Sequence, residues 1–149
     1  MPLIIEGEER IAASVVVVWA ALNDPDILRA CIPGCDSLTR ETDTRMNGKV
    51  TLKIGPMKAS FTGAVTLSDL DPPHGYAISG EGKGGVAGFA KGRANVKLAE
   101  DGEATILTYS AEADVGGKLA QLGNRLIGST ATKLAQGFFA DFNARVSGN

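Results

Sequence analysis

Few residues in this chain stand where they could do chemistry. The single histidine, His74, lies between Pro73 and Gly75 in a predicted turn, with no nucleophile or carboxylate partner evident beside it. A lone histidine in a turn between strands is usually just exposed. Cys31 and Cys35 are spaced as C-I-P-G-C, which admits a disulfide, half of a metal site, or free thiols. A metal ion would find one histidine and no second cysteine pair, and a reducing compartment disfavours the disulfide. Free, mostly buried thiols are therefore expected. The stretch G-E-G-K-G-G at 80–85 matches G-x-G-x-x-G, but that fingerprint needs a helix N-terminus facing a pyrophosphate. The sequel V-A-G-F-A-K-G-R is strand-like, so a glycine-rich hairpin is expected. No G-K is followed by Ser or Thr, and no G-x-S-x-G occurs, so neither a P-loop nor a nucleophile elbow is present.

Two sets of residues remain. Lys53, Lys58, Lys91, Arg93 and Lys97 alternate with apolar residues on predicted strands. They read as the solvated face of a half-buried sheet, or as a contact surface for an acidic partner or anionic lipid. Trp19, Leu22, Phe61, Phe89, Tyr109, Leu122 and Leu126 fall where the predicted elements should converge. They form either ordinary core or the lining of an apolar cavity, the usual build of a small-molecule site. The glycine content of the sheet and helix favours the cavity. No residue is assigned a catalytic role, a metal or a cofactor.

The elements that must position these residues follow from hydrophobic period. Residues 3–12 read as a first strand. Ser14 is a candidate N-cap, and Val15, Val18, Trp19 and Leu22 recur at helical spacing. Asp24-Pro25 starts a second short helix over 25–31, which the turn at Ile32-Pro33-Gly34 ends. From about 36 to 115 the period is two. Val50, Leu52 and Ile54 share a face, as do Met57, Ala59, Phe61, Gly63, Val65 and Leu67, and later Leu107, Tyr109, Ala111, Ala113 and Val115. Two of these strands are expected at 86–99 and 104–115. Beyond Gly116-Gly117 the period becomes 3.6, with Leu119, Leu122, Leu126, Leu134, Phe138 and Phe142 in one stripe to about Val146. A continuous helix of that span would be about 40 Å long. One apolar sheet face and one apolar helix stripe need each other. The expected fold is α+β: a curved antiparallel sheet of six to seven strands round a long C-terminal helix, with two short helices after the first strand, as one domain over 1–149.

Composition narrows the function further. The 149 residues carry 15 Lys and Arg against 17 Asp and Glu, a net charge of −2, which gives no long-range field for a nucleic acid. Aromatic residues make up only 5% while glycines number 19, so a core of small residues either packs tightly or leaves a hollow. The sequence shows no basic-then-apolar leader and no 18-residue apolar run, so a cytoplasmic location is expected.

Several stretches together resemble a known family: V-W-A-A-L-N-D-P-D-I-L with C-I-P-G-C, then K-I-G-P-M-K-A-S-F-T-G, G-G-V-A-G-F-A-K-G-R-A-N-V-K-L and G-G-K-L-A-Q-L-G-N-R-L-I. They resemble the CoxG family of carbon monoxide dehydrogenase subunits, in the START-like, polyketide-cyclase-like (SRPBCC) superfamily. The resemblance implies a helix-grip fold enclosing a deep apolar cavity. It also implies association with molybdenum-containing carbon monoxide dehydrogenases and related hydroxylases, which CoxG proteins are thought to bring to the cytoplasmic membrane, where electrons pass to quinone. Members often continue into a C-terminal tail linked to membrane attachment, a pattern from which this sequence departs at Ser147-Gly148-Asn149. The expected function is an accessory protein that holds a quinone or lipid-like molecule and contacts the hydroxylase, with possible peripheral membrane contact. The alternatives are a superfamily enzyme of cyclase or hydrolase type using the same cavity, and an interaction module with a filled core.

Overall fold

The computed structural model describes residues 3–147, so the two residues at each end of the expected 1–149 domain lie outside the described residues. The chain begins with strand β1 (Leu3–Ile11) and continues through two short helices, α1 (Val15–Leu22) and α2 (Pro25–Cys31). Both helix starts are capped as their sequences require. Ser14 Oγ accepts a hydrogen bond from the Val17 N–H, and the Asp24 carboxylate accepts one from the Asp26 N–H, with Pro25 in the first turn. The cap settles the competition between helix and strand in the four-valine run. Val15, Val18, Ala21 and Leu22 turn inward, while Val16 and Val17 stay in solvent.

The remaining strands are β2 (Cys35–Thr42), β3 (Arg45–Ile54), β4 (Met57–Asp71), β5 (Gly75–Lys83), β6 (Phe89–Asp101) and β7 (Ala104–Gly116). They form one curved antiparallel sheet of seven strands in the order β1-β7-β6-β5-β4-β3-β2. Alternation decides the two faces. Phe61, Leu67, Val96, Leu98 and Leu107 face the core, while Lys53, Lys58, Lys91, Arg93 and Lys97 are exposed on the opposite parity.

Three boundaries differ from the sequence expectation. The first strand stops at Ile11 instead of residue 12. The strand expected at 86–99 is displaced to Phe89–Asp101, because Gly85 and Gly88 take φ of +59° and +108° and place residues 85–87 in a 3-10 turn. The long helix does not run unbroken from residue 117. Gly117–Leu122 forms a second 3-10 turn, Gly123 breaks the path at φ +89°, and α3 spans Asn124–Val146. Its 23 residues make a rod of roughly 34 Å. Leu119 and Leu122 thus sit on the turn ahead of the rod.

The buried residues fall into two clusters. The larger joins Ile11, Val18, Leu22, Tyr76, Leu107, Phe142 and Val146, where α1 and the C-terminal half of α3 meet the sheet. The smaller joins Ile54, Phe61, Ala87 and Leu119, with Leu122 and Leu126 packed against it, at the opposite end of the strands.

Candidate functional site

Between these clusters the concave face of the sheet is built from its smallest residues. In the strand register Gly48 lies opposite Gly63 and Gly63 opposite Gly82, a row crossing β3, β4 and β5. Gly80 and Gly92 are likewise paired between β5 and β6. Some of these positions admit no side chain. A Cβ on Gly63 would strike the Glu81 carbonyl oxygen of the neighbouring strand, and one on Gly92 would come 2.6 Å from the Glu112 carbonyl oxygen. Gly82 is different, since a Cβ there would meet only the Phe61 Cβ, at 3.7 Å.

Beside the glycine row lies an apolar hollow of about 250 Å³, bounded by Ile32, Cys35, Leu38, Met46, Val50, Phe61 and Val65 together with Gly48, Gly63, Gly80 and Gly82. This is slightly below the roughly 300–1,000 Å³ typical of ligand sites. It has room for a ring or a short stretch of alkyl chain, held by removal of apolar surface from water.

The seven apolar residues singled out from sequence do not all converge. Phe61 is 7% exposed and is the only one of them lining the hollow. Trp19 and Leu22 belong to the larger cluster, where the Trp19 ring meets Tyr76 edge-on at 5.4 Å between centroids. Tyr109 packs on the same cluster, stacked on Phe139 at 5.3 Å with its ring lying over Gly7. Leu122 and Leu126 pack at the far end, against the smaller cluster. Phe89 does not face the interior. It shares strand parity with Lys91 and Arg93, is 42% exposed, and covers Gly116. The alternation already implied this, because Phe89 stands two residues before Lys91 on the same strand and so on the solvated face. Lining residues not singled out beforehand include Met46, Val50 and Val65. The shared face of Val50, Leu52 and Ile54 was visible in the alternation, but the pairing that sets Val50 opposite Phe61 was not.

The titratable residues bounding the hollow are Cys35 and the exposed Lys49 and Glu81. Among the described residues no Asp, Glu or His side chain is buried, and His74 is exposed in the β4–β5 turn. Nor does any group of three or more His, Cys, Asp or Glu side chains stand together in a metal-binding arrangement. Cys31 is buried and Cys35 partly so, both free, and burial pushes each thiol above its ordinary pKa. The Cys35 thiol donates to the Ser37 carbonyl oxygen at 3.3 Å. Two phenols face the core. Burial holds Tyr76 well above the ordinary tyrosine value, and Tyr109 is raised by burial first and by the Glu9 carboxylate second. Neutral phenols and thiols offer hydrogen bonds but no base at neutral pH.

Comparison with known proteins places this geometry among relatives. The family model for CoxG, a subunit of carbon monoxide dehydrogenase, matches residues 7–147. No curated protein matches the chain. Among solved structures, a conserved protein from Geobacillus kaustophilus is 32% identical, with a TM-score of 0.91 over 97% of this chain and 95% of that one. The Zhui aromatase/cyclase from a Streptomyces species is 12% identical, with a TM-score of 0.70 over 98% and 94%. A START superfamily protein from Mycobacterium smegmatis is 14% identical, with a TM-score of 0.71 over 96% of each chain. The last two likenesses concern the fold, which is START-like.

Proposed function

The chain belongs to the CoxG family of carbon monoxide dehydrogenase subunits, and from that membership we propose a non-catalytic accessory protein that carries a quinone or lipid-like molecule for a molybdenum-containing hydroxylase. Family membership supports the accessory role beside a carbon monoxide dehydrogenase. The observation that carries the ligand reading is the hollow beside the glycine row, walled mainly by Ile32, Leu38, Met46, Val50, Phe61 and Val65, with the exposed Lys49 and Glu81 also on its boundary and no buried carboxylate or imidazole. Such a wall retains a molecule by apolar contact and leaves its chemistry to a partner. At about 250 Å³ the hollow accepts the ring or part of the tail, with the remainder outside. No helix among the described residues is long and apolar enough to cross a membrane, and the contact with the cytoplasmic face proposed here is a peripheral one.

The test is titration with a short-chain benzoquinone, followed by Trp19 fluorescence and by native mass spectrometry. The expected result is one quinone per chain with micromolar affinity, weakened when Gly82→Leu fills the hollow. A wild-type protein that stays empty throughout overturns the carrier reading. The small volume favours a second reading, an interaction module with no ligand. That reading predicts the empty result together with co-purification of the hydroxylase.

A further inference from the structure

The end of the molecule at the start of α3 gathers residues 53–58 from the β3–β4 hairpin, 83–89 from the β5–β6 connection, and 117–126 from the second 3-10 turn and the first residues of the helix. The smaller core cluster holds them together through Ile54, Ala87 and Leu119, and the Leu126 side chain packs over Gly55. These segments carry Lys53, Lys58, Lys83, Lys118 and Arg125 and no acidic residue; the exposed carboxylates bordering them, Glu81 and Asp114, both stand opposite Lys91 in the strand register. All five cations are exposed, and among the described residues none of them is in an ion pair. Lys53 and Lys58 even stand directly opposite each other across the strands, an arrangement that destabilises a hairpin unless an anion neutralises it. Among the cations two apolar side chains stay in water: Val86 at 86% exposure, the most exposed large hydrophobic among the described residues, and Phe89 at 42%.

We propose that this end is a docking face for an anionic lipid bilayer, with the five cations on headgroup phosphates and Val86 and Phe89 in the interfacial layer. Long cationic side chains reach headgroups while their stems cover apolar surface, and clustered basic residues bind anionic leaflets electrostatically. A nucleic acid would satisfy the charges but leave Val86 in water, because valine offers no stacking surface to a base. The inference deepens the membrane contact of the proposed function and is independent of what occupies the hollow.

Flotation with phosphatidylcholine vesicles, with and without phosphatidylglycerol, tests it. The full chain should float only with the anionic vesicles, and the bound fraction should fall as salt rises. Lys53→Ala with Lys58→Ala should weaken partitioning roughly 30-fold. Val86→Ser should weaken it without changing the salt dependence, while Lys97→Ala, at the other end of the sheet, should leave it unchanged. All these side chains are exposed, so matching melting temperatures identify folded variants. Equal binding to neutral vesicles, undiminished binding by the lysine variant, or retention by DNA or an acidic polypeptide without vesicle binding would each overturn the proposal. Quinone uptake measured in vesicle-free solution should be the same in the lysine variant and the wild type, so failure of docking and failure of the carrier reading are read separately.

Discussion

Gly63 and Gly82 face each other across β4 and β5, yet alanine at the two positions should have opposite effects. At Gly82 the added methyl meets only the Phe61 Cβ, at 3.7 Å, an ordinary contact beside open space. The replacement removes the excess backbone entropy of glycine in a strand, so a gain of about 0.5–1 kcal/mol is expected. At Gly63 the same methyl runs into the Glu81 carbonyl oxygen, a backbone atom of the adjoining strand that cannot rotate away. Relief requires β4 and β5 to separate locally, so the cost should reach the upper end for overpacking, about 3 kcal/mol. For a chain of this size 1 kcal/mol moves the melting temperature by roughly 2–4 °C. Gly82→Ala should therefore melt a few degrees above wild type, and Gly63→Ala roughly 6–12 °C below it. Urea unfolding followed by Trp19 fluorescence would confirm the order independently of temperature. Equal stability of the two variants would refute the claim that close strand approach at Gly63, beside open space at Gly82, shapes the hollow.

Phe142, fully buried and stacked on Phe138 at 5.5 Å between centroids, fixes the C-terminal half of α3 to the larger cluster, so Phe142→Ala should cost about 3–5 kcal/mol in chemical denaturation. Tyr76 has a folded-state pKa above its ordinary 10.0 because of burial, so its contribution is full below pH 10 and is lost as pH rises further, when the unfolded chain ionises first. Unfolding free energy should consequently decline above about pH 10, and Tyr76→Phe should flatten that decline; an unchanged slope in the variant would refute the assignment.

Period and capping made most of this fold legible. Ser14 and the Asp24-Pro25 pair gave both short helices their starts, and alternation gave the strands and the face carrying Phe61 and Leu67. Two local features stayed hidden. Gly85, Gly88 and Gly123 act through backbone conformation, and glycine is equally at home in a strand or a turn, so composition alone cannot tell a break from a continuation. That ambiguity moved the start of β6 and ran the helix back through Leu119, whereas grouping Phe89 with the core runs against its own parity with Lys91 and Arg93. The site was less legible because it depends on register. The glycines of β3, β4 and β5 are scattered in the chain and become a row only through pairing between strands. Expected convergence of large apolar residues pointed to the two ends of the core, whereas the space lies where side chains are smallest.

The meander from β2 to β7 pairs each strand with its neighbour in the chain. Only β1 breaks that rule, setting Ile11 beside Thr105 and Leu3 beside Ala113. Its docking closes the loop from Ile11 to Thr105, the longest between any paired strands, which makes it the pairing with the largest closure entropy. The same strand end is clasped by α3: Asn143 Oδ1 accepts from the Ala12 N–H at 3.1 Å, and its Nδ2 donates to the Arg10 carbonyl oxygen at 3.4 Å. Arrival of β1 and seating of the C-terminal helix are therefore one coupled event in folding. Hydrogen exchange should show the β1 amides and the last turns of α3 opening together, ahead of the central strands.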